Sequence, residues 1–229
     1  MSNEIVALIP VREGSKRVKN KNFRRFANES SLLHLKIKQL KKQSCFDTVF
    51  VSSDSEVARE IAISEGVEFL YRDPYMCGHE SRLYEYNNYM LNTIPGNPIV
   101  AWTMVTAPLF ENYDLAIDLY KKNYDRYDSL MSVIKYDDFL IDKNAKPINC
   151  AFGHWHLLTQ ELRESYQLTG GIYMAPKKSQ LQWSYWFGPN PYMLNISRIE
   201  SMDVDNDEDF YICEILHSQK QGKVHKSIL

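Results

Sequence analysis

The feature that most constrains this chain is an abrupt change from apolar to cationic residues near its N-terminus. Residues 5–9 are continuously apolar, and seven lysine and arginine side chains follow within residues 12–25, here called the basic loop. An apolar run without polar alternation is typical of a strand buried on both faces of a parallel sheet. The basic loop is therefore expected at the carboxyl edge of that sheet, where open α/β sheets bind ligands.

The basic loop suits a small anionic ligand. Cations and backbone N–H groups at a strand end are typical of phosphate sites, although a solvated surface loop has the same composition. The spacing matches neither the Walker loop nor the dinucleotide glycine fingerprint, which disfavours a dehydrogenase. The net charge of −2 disfavours a nucleic-acid partner, because the positive charge is local.

Length and composition favour one soluble enzyme domain. The chain has 229 residues, of which 44% are hydrophobic and 24% are charged, and a single domain at 1–229 with an insertion is expected. Four scattered cysteines form no C-x-x-C pair, which favours a reducing cytoplasm over a zinc site or a disulfide framework. The chain shows no signal-peptide pattern and no apolar run long enough for a membrane span, so neither is expected.

Alternating strand and helix patterns predict an α/β fold with a mainly parallel sheet. Strands are predicted at 5–9, 46–53, 67–71, 99–105 and 130–134, and helices at 30–42, 56–65, 83–91, 113–123 and 209–220. The pattern fails at 135–197, where clustered aromatic residues and no helical period predict inserted antiparallel strands and loops. These aromatic residues suit a small second core or a subunit interface better than a nucleic-acid stacking platform, because few basic residues lie among them.

Paired carboxylates near the other end of the chain supply the second chemical signal. In an extended segment Asp203 and Asp205, here called the carboxylate pair, point to the same side. Such a pair suits Mg²⁺ bound together with substrate phosphates, although a charged strand end gives the same pattern. The acidic residues that follow indicate a helix start, which Asn206 or Asp207 is expected to cap. Cations and a metal-binding pair together predict phosphoryl or nucleotidyl transfer.

Six motifs carry a family resemblance over nearly the whole chain. In order they are IPVREGSKRVKNKN, VSSDSEVAREIA, YRDP, TAPL, TGGIY and SMDVDNDEDF. They resemble the CMP-sialic acid synthetase (acylneuraminate cytidylyltransferase) family, which includes bacterial enzymes that activate related 2-keto acid sugars. The resemblance implies a Rossmann-like nucleotidyltransferase sheet, with residues 135–197 as an inserted antiparallel dimerisation and acceptor-binding region. It also implies a homodimer that uses CTP, Mg²⁺ and an acidic sugar-like acceptor.

The resemblance assigns roles to matching residues. Its nucleotide-binding positions are Arg12, Ser15, Lys16, Lys21, Asn22, Arg72 and Ser81. Its catalytic positions are Arg12, Lys21, Asp203 and Asp205, of which the last two also bind the metal. Its acceptor-binding positions are Met104, Gln160, Tyr173, Trp186 and Phe187. The implied reaction is attack by the anomeric hydroxyl of the sugar on the α-phosphate of CTP, with metal-assisted deprotonation and release of pyrophosphate.

Departures from the family pattern concern the acceptor. Met104 stands where the family has a glutamine, Phe110 where it commonly has an arginine, and Thr159 where a basic residue is usual. A different acidic sugar, a phosphorylated acceptor and a non-sugar acceptor therefore all stay open. The alternative from another functional class is a non-catalytic nucleotide-binding homologue, which the intact basic loop and carboxylate pair disfavour.

Overall fold

One mixed sheet organises the computed structural model, which describes residues 4–14, 18–78 and 80–221. Its strands, over those residues, are β1 (Ile5–Pro10), β2 (Thr48–Ser53), β3 (Glu68–Tyr71), β4 (Ile99–Trp102), β5 (Ser129–Tyr136), β6 (Ser165–Pro176) and β7 (Pro191–Asn195). Their spatial order is β3-β2-β1-β4-β6-β5-β7. Strand β6 is antiparallel to its neighbours β4 and β5, and the remaining pairs are parallel. The predicted mainly parallel α/β fold is confirmed.

Helices pack on both faces of the sheet. They are α1 (Leu32–Lys41), α2 (Glu56–Glu65), α3 (Pro74–Cys77), α4 (Leu83–Thr93), α5 (Tyr113–Asn123), α6 (Lys177–Trp183) and α7 (Asp207–Gln221), with 3-10 turns at Gly153–Trp155 and Thr159–Glu161. Helices α1, α2, α5 and α7 contribute to one apolar core, whereas α4 and α6 pack against the other. Among the residues described, no helix is both long and apolar enough to span a bilayer.

Strand β1 lies between β2 and β4 and supplies side chains to both cores. Ile5, Ala7 and Ile9 face one core, and Val6 and Leu8 face the other. Burial of each large aliphatic side chain contributes about 1.5–3 kcal/mol. Both faces of β1 are covered, which explains why its sequence is apolar at successive positions rather than at alternate ones.

The predicted strand at 99–105 is too long, since β4 ends at Trp102. Thr103 still donates its N–H to the Leu8 carbonyl at 2.9 Å. Residues 104–107 then turn, with a 3.2 Å hydrogen bond between the first carbonyl and the last N–H. This turn replaces the last residues of the predicted strand with a loop at the carboxyl edge of the sheet.

The segment 135–197 is more regular than predicted. It contains helix α6, so the expectation of no helix there is wrong, and it supplies β6 and β7 to the main sheet. The helix has only seven residues, which is too short for the apolar repeat that identifies a helix in a sequence. Residues 137–164, here called the outer segment, connect β5 to β6 and contain the two 3-10 turns.

Candidate active site

A cleft of about 680 Å³ opens at the carboxyl edge of the sheet. It lies beside β1, where the segments that follow β1 and β4 diverge, and such switch points bind ligands in open α/β sheets. The sequence-predicted residues that line the cleft are Arg12, Lys21, Asn22, Arg72, Ser81 and Met104. The predicted phosphate-binding residues Ser15 and Lys16 lie outside the described part of the chain.

The basic loop supplies one wall of the cleft. Arg12 is half-buried, and its Nη1 donates to the Cys77 carbonyl at 2.7 Å. The Nδ2 of Asn22 donates to the Arg12 carbonyl at 3.0 Å. Lys21 is 9% exposed, which is low for a lysine. These contacts hold the Arg12 side chain against the Cys77 carbonyl and the Asn22 side chain against the Arg12 backbone.

The side-chain oxygen of Asn22 has no hydrogen-bond partner among the described residues. The residue is 7% exposed, and this oxygen, Oδ1, is buried. A buried oxygen without a donor costs about 1–3 kcal/mol. Because an ionised phosphate oxygen has no hydrogen to donate, Oδ1 suits a hydroxyl or amino group of a ligand rather than a phosphate.

Arg72 is buried in the wall of the cleft and hydrogen-bonds to two residues of that wall. The residue is 1% exposed, its Nε donates to the Cys77 Sγ at 2.9 Å, and its Nη2 donates to the Val11 carbonyl at 2.5 Å. Its guanidinium carbon lies 5.2 Å from the centre of the Tyr86 ring. Arg72 therefore supports the backbone beside Arg12, and its predicted contact with the nucleotide stays a prediction.

The carboxylate pair lies on either side of Val204, whose backbone N–H and carbonyl are both hydrogen-bonded. Val204 is fully buried, its N–H donates to the Thr106 carbonyl at 2.8 Å, and its carbonyl accepts a hydrogen bond from the Lys21 ammonium. Alternation along the extended segment sends Val204 inward and Asp203 and Asp205 to the opposite side. Lys21 thus brings the basic loop against the carboxylate pair across 183 positions of sequence.

Asp203 has a crowded environment. A Cβ placed on Gly170 of β6 would lie 3.3 Å from the Asp203 Oδ1, so glycine makes room for this carboxylate. Burial and the neighbouring Asp205 raise the pKa of Asp203, whereas a hydrogen bond from the Thr106 side chain and the charge of Lys21 lower it. The net shift of the pKa is upward, because the effect of burial is the largest of these.

The acidic residues beyond the pair begin helix α7. The Asp209 carboxylate accepts from the N–H groups of Asp205 and Asn206 at 3.0 and 3.1 Å, and the Asn206 Oδ1 accepts from the Asp209 N–H at 2.9 Å. This reciprocal cap confirms the predicted helix start. Asp207 forms a surface ion pair with Arg24 at 3.0 Å. The helix start and its ion pair therefore account for Asn206, Asp207 and Asp209.

The carboxylate pair offers two oxygen ligands of the kind that Mg²⁺ prefers. No group of three or more His, Cys, Asp or Glu residues is arranged to hold a metal in the chain as described. Mg²⁺ is commonly held by one or two protein carboxylates, with substrate phosphates and water at the remaining positions. Asp203 and Asp205 are therefore suited to a metal that arrives with a phosphorylated ligand.

Three predicted acceptor residues form an aromatic cluster, namely Tyr173, Trp186 and Phe187. The Tyr173 and Trp186 rings stack with centres 5.0 Å apart and planes at 9°, and the Phe187 ring centre is 5.7 Å from that of Tyr173. Met104 packs against the same apolar core as Trp186 and Phe187 and also lines the cleft, whereas the three aromatic residues are not part of the cleft wall. Gln160 is exposed in its 3-10 turn and is not part of the cleft wall.

Sequence reasoning missed two buried polar residues of α1. Lys36 is 0% exposed and Gln39 is 3% exposed. The spacing of the sequence could have revealed the burial of Lys36. It lies four residues from both Leu32 and Leu40, which places all three on one face of a helix. Burial lowers the pKa of Lys36 to about 7, although the charge of Glu111 opposes the shift.

Known proteins similar to this chain are cytidylyltransferases. Residues 6–146 match a family model described as cytidylyltransferase. The N-acylneuraminate cytidylyltransferase of Streptococcus agalactiae serotype III is 26% identical over 212 residues, which cover 90% of this chain and 51% of the relative. The pseudaminic acid cytidylyltransferase of Campylobacter jejuni subsp. jejuni serotype O:2 is 26% identical over 223 residues, which cover 93% of this chain and 95% of the relative. The chain thus spans about half the length of the streptococcal relative.

Two solved structures share the fold. The CTP complex of CMP:2-keto-3-deoxy-manno-octonic acid synthetase matches with a TM-score of 0.68 at 10% identity, over 95% of this chain and 99% of that one. The 4-diphosphocytidyl-2C-methyl-D-erythritol synthase of Anaerococcus prevotii matches with a TM-score of 0.66 at 12% identity, over 94% and 99%. At such low identity these matches show the shared nucleotidyltransferase fold and nothing finer.

Proposed function

Because the chain belongs to the cytidylyltransferase family, we propose that it transfers CMP from CTP to the hydroxyl of an acidic 2-keto sugar and releases pyrophosphate. The observation that carries the proposal is the Lys21–Val204 contact, which joins the basic loop to the carboxylate pair. Nucleotidyl transfer needs cations and metal-binding carboxylates in one place, because charge shifts from the attacking oxygen to the leaving phosphates. Relatives named for sialic and pseudaminic acids support a sugar acid as acceptor.

The nucleotide would lie along the wall formed by the basic loop. Arg12 and Lys21 supply positive charge for the triphosphate, and the family motif adds Ser15 and Lys16 to that role. Asn22 Oδ1 then accepts a hydrogen bond from a ribose hydroxyl or from the amino group of cytosine, which provides the donor that the oxygen lacks. This arrangement assigns the phosphates to the cations and the nucleoside to Asn22.

Asp203 and Asp205 would hold Mg²⁺ together with the phosphates of CTP. The ion neutralises charge on the reacting phosphates and lowers the pKa of an acceptor hydroxyl bound to it. The protein contributes the position of the carboxylates, which Thr106 and Lys21 fix through hydrogen bonds to Asp203 and Val204. We assign no covalent enzyme intermediate to the reaction.

The proposed reaction is one displacement at the α-phosphorus. The acceptor hydroxyl oxygen forms a bond to this phosphorus, and the bond from the phosphorus to the oxygen that bridges to the β-phosphate breaks. Pyrophosphate carries away the electron pair of that bond, and the hydroxyl proton is transferred to solvent water. Lys21, which lies beside the carboxylate pair, is placed to stabilise the charge that develops on the leaving group.

The acceptor would approach from the side of Met104 and the aromatic cluster. Met104 gives this side of the cleft an apolar wall and shares an apolar core with the aromatic cluster, which lies outside the cleft lining, whereas Arg12 and Lys21 line the cleft on the proposed nucleotide side. Such a wall favours a sugar acid with apolar substituents over one whose every face is hydroxylated. The departures at Met104 and Thr159 agree with an acceptor other than N-acetylneuraminate.

We also propose that the outer segment joins two copies of the chain. Trp155, Leu158 and Ile148 are 76%, 66% and 63% exposed there. Exposed apolar side chains in such number mark an interaction surface. The family resemblance supports a second copy of this chain as the partner.

Pyrophosphate release with CTP tests the function. The protein is incubated with Mg²⁺, CTP and each member of a panel of 2-keto acid sugars, and UTP, ATP and GTP replace CTP in control reactions. We expect release with CTP and at least one sugar acid, and mass spectrometry of the product distinguishes a CMP-linked sugar from a diphosphate-linked one.

Two results would contradict the proposal. A diphosphate-linked product would identify a phosphorylated acceptor. Absence of CTP-dependent release over the whole panel, in protein that binds CTP, would support the non-catalytic alternative.

A further inference from the structure

A short loop after β4 connects helix α1 to the carboxylate pair. Three consecutive carbonyls of this loop, those of Thr106, Ala107 and Pro108, accept hydrogen bonds from two other parts of the chain, helix α1 and the segment that contains Val204. Irregular backbone of this kind needs partners outside itself, because its carbonyls are not paired by a helix or a sheet. The three partners therefore decide where the loop lies.

Two of the partners are the buried polar side chains of α1. The Lys36 ammonium donates to the Ala107 carbonyl at 2.8 Å and to the Tyr113 hydroxyl oxygen at 2.7 Å. The Gln39 Nε2 donates to the Pro108 carbonyl at 2.7 Å. Burying a lysine and a glutamine is costly unless both are hydrogen-bonded, and here each bonds to the same loop.

The third partner is the segment that carries the carboxylate pair. The Thr106 carbonyl accepts from the Val204 N–H at 2.8 Å, and the Thr106 side chain forms a hydrogen bond with Asp203. Thr106 precedes Ala107 directly, so a displacement of the carbonyls held by α1 is passed to Thr106. Asp203 and its segment then move with it.

We propose that Lys36 and Gln39 are positioning residues that hold the loop, and through Thr106 the carboxylate pair, in the geometry needed to bind metal and nucleotide. This inference rests on the proposed function, because it assigns the carboxylate pair a metal-binding role. It goes beyond that function, since neither side chain lines the cleft.

A role limited to packing of α1 leads to different expectations. Loss of a purely structural contact lowers the melting temperature and leaves the folded molecules unchanged at lower temperature. Loss of a positioning contact loosens the Thr106–Val204 hydrogen bond in molecules that are otherwise folded. Exchange of the Val204 amide hydrogen reports that bond directly.

The test is Lys36→Met, which keeps an unbranched side chain one heavy atom shorter and removes the N–H donors. Lys38→Met is the matched control, because Lys38 lies on the same helix and its contact is a surface ion pair with Glu29 at 2.6 Å. In Lys36→Met we expect the Val204 amide to exchange about tenfold faster, as loss of one hydrogen bond predicts. The Ile99 amide, bonded to the Glu4 carbonyl at 2.9 Å, should keep its rate.

Steady-state kinetics supply the second measurement. At saturating CTP, the Mg²⁺ concentration for half-maximal rate should rise several-fold in Lys36→Met and stay unchanged in Lys38→Met. Gln39→Met is studied in parallel with the same two measurements. If Lys36→Met does not fold, the Gln39→Met results alone test the inference. Unchanged Val204 exchange and unchanged Mg²⁺ dependence in the folded variants would overturn the inference. The exchange measurement uses protein without substrates, so an inactive wild type would count against the proposed function only.

Discussion

The proposed nucleotide side and the proposed acceptor side of the site are built in different ways. On the nucleotide side, hydrogen bonds to the backbone of Val204 from Lys21, and from Val204 to Thr106, hold the segment of the carboxylate pair. On the acceptor side, the aromatic cluster lies outside the cleft lining and is held by side-chain contacts, namely ring packing and a hydrogen bond from the Trp186 Nε1 to the Asn87 Oδ1 at 2.9 Å. This difference predicts that nucleotide chemistry depends on fixed backbone geometry, whereas acceptor choice depends on side-chain identity.

Replacement of Asp203 is the most severe test of the nucleotide side. We expect Asp203→Asn to lower kcat about 10²–10³-fold, the usual effect of losing one preorganised electrostatic contact. The melting temperature should not fall, because burial and Asp205 already raise the pKa of the carboxyl group and the amide removes this repulsion. Steady-state kinetics and a thermal melt measure both effects.

Asp207→Asn is the control for that experiment. Asp207 lies four residues away and pairs with Arg24 on the surface, so its loss should leave kcat near the wild-type value. If Asp203→Asn retained full activity, the proposed metal site would be wrong.

Substitutions in the outer segment should change dimerisation and should not change catalysis. Trp155→Glu puts a charge into the proposed interface, and the dimer dissociation constant should rise about 30-fold, as for loss of an interface anchor. Analytical ultracentrifugation measures the change. Tyr211→Glu is the control, because Tyr211 is 64% exposed on α7, outside the segment. A wild-type protein that sediments as a monomer at all concentrations would contradict the dimer.

The aromatic cluster should affect the acceptor more than the nucleotide. In Trp186→Phe, KM for the acceptor should rise by up to about tenfold, because the smaller ring loses stacking area on Tyr173 and the hydrogen bond from the indole Nε1 to the Asn87 Oδ1. KM for CTP should be unchanged. Initial rates with each substrate varied separately give both values, and equal changes in the two would show that the sides of the cleft are not independent.

His217 of α7 should give the smallest effect, which is on stability. Its ring is 2% exposed, packs 5.6 Å from the Phe26 ring, and has no hydrogen-bond partner at either nitrogen among the residues described. Burial lowers the pKa of His217, so the unfolded state takes up a proton first as the pH falls. The free energy of unfolding should be retained above about pH 6.5 and decrease below it, by at most about 1.4 kcal/mol per pH unit.

Urea unfolding at a series of pH values checks this dependence. His217→Phe keeps an aromatic ring in the same apolar site and removes the titrating group, so its curve should be flatter than the wild-type curve over the same range. An equal slope in both proteins would show that other groups cause the acid sensitivity.

The sequence predicted the parts of the fold that follow from local pattern. The apolar run of β1 and the helix cap at Asn206 each depend on neighbouring residues, and both are confirmed. Gly66 ends α2 in the left-handed conformation at φ 67°, also as predicted. The mainly parallel sheet followed from the alternation of strands and helices.

Features that depend on distant contacts were not predictable in the same way. The sequence marks Arg72 as a nucleotide-binding residue, but only the folded chain shows that it bonds to Cys77 and Val11 inside the wall. Helix α6 is too short to show a repeat, and the loop contacts of Lys36 depend on residues more than 70 positions away.

The bond from Lys21 to Val204 also has a consequence for how the protein folds. Together with the bonds from Arg24 to Asp207 and from Ala27 to Glu214, it closes loops of 183 to 187 residues. Contacts between residues so far apart in the sequence form late in folding, because the loss of chain entropy opposes them until the intervening sheet has formed. During synthesis Lys21, Arg24 and Ala27 therefore lack these native partners until α7 has left the ribosome. The proposed site should be assembled only after α7 has been synthesised.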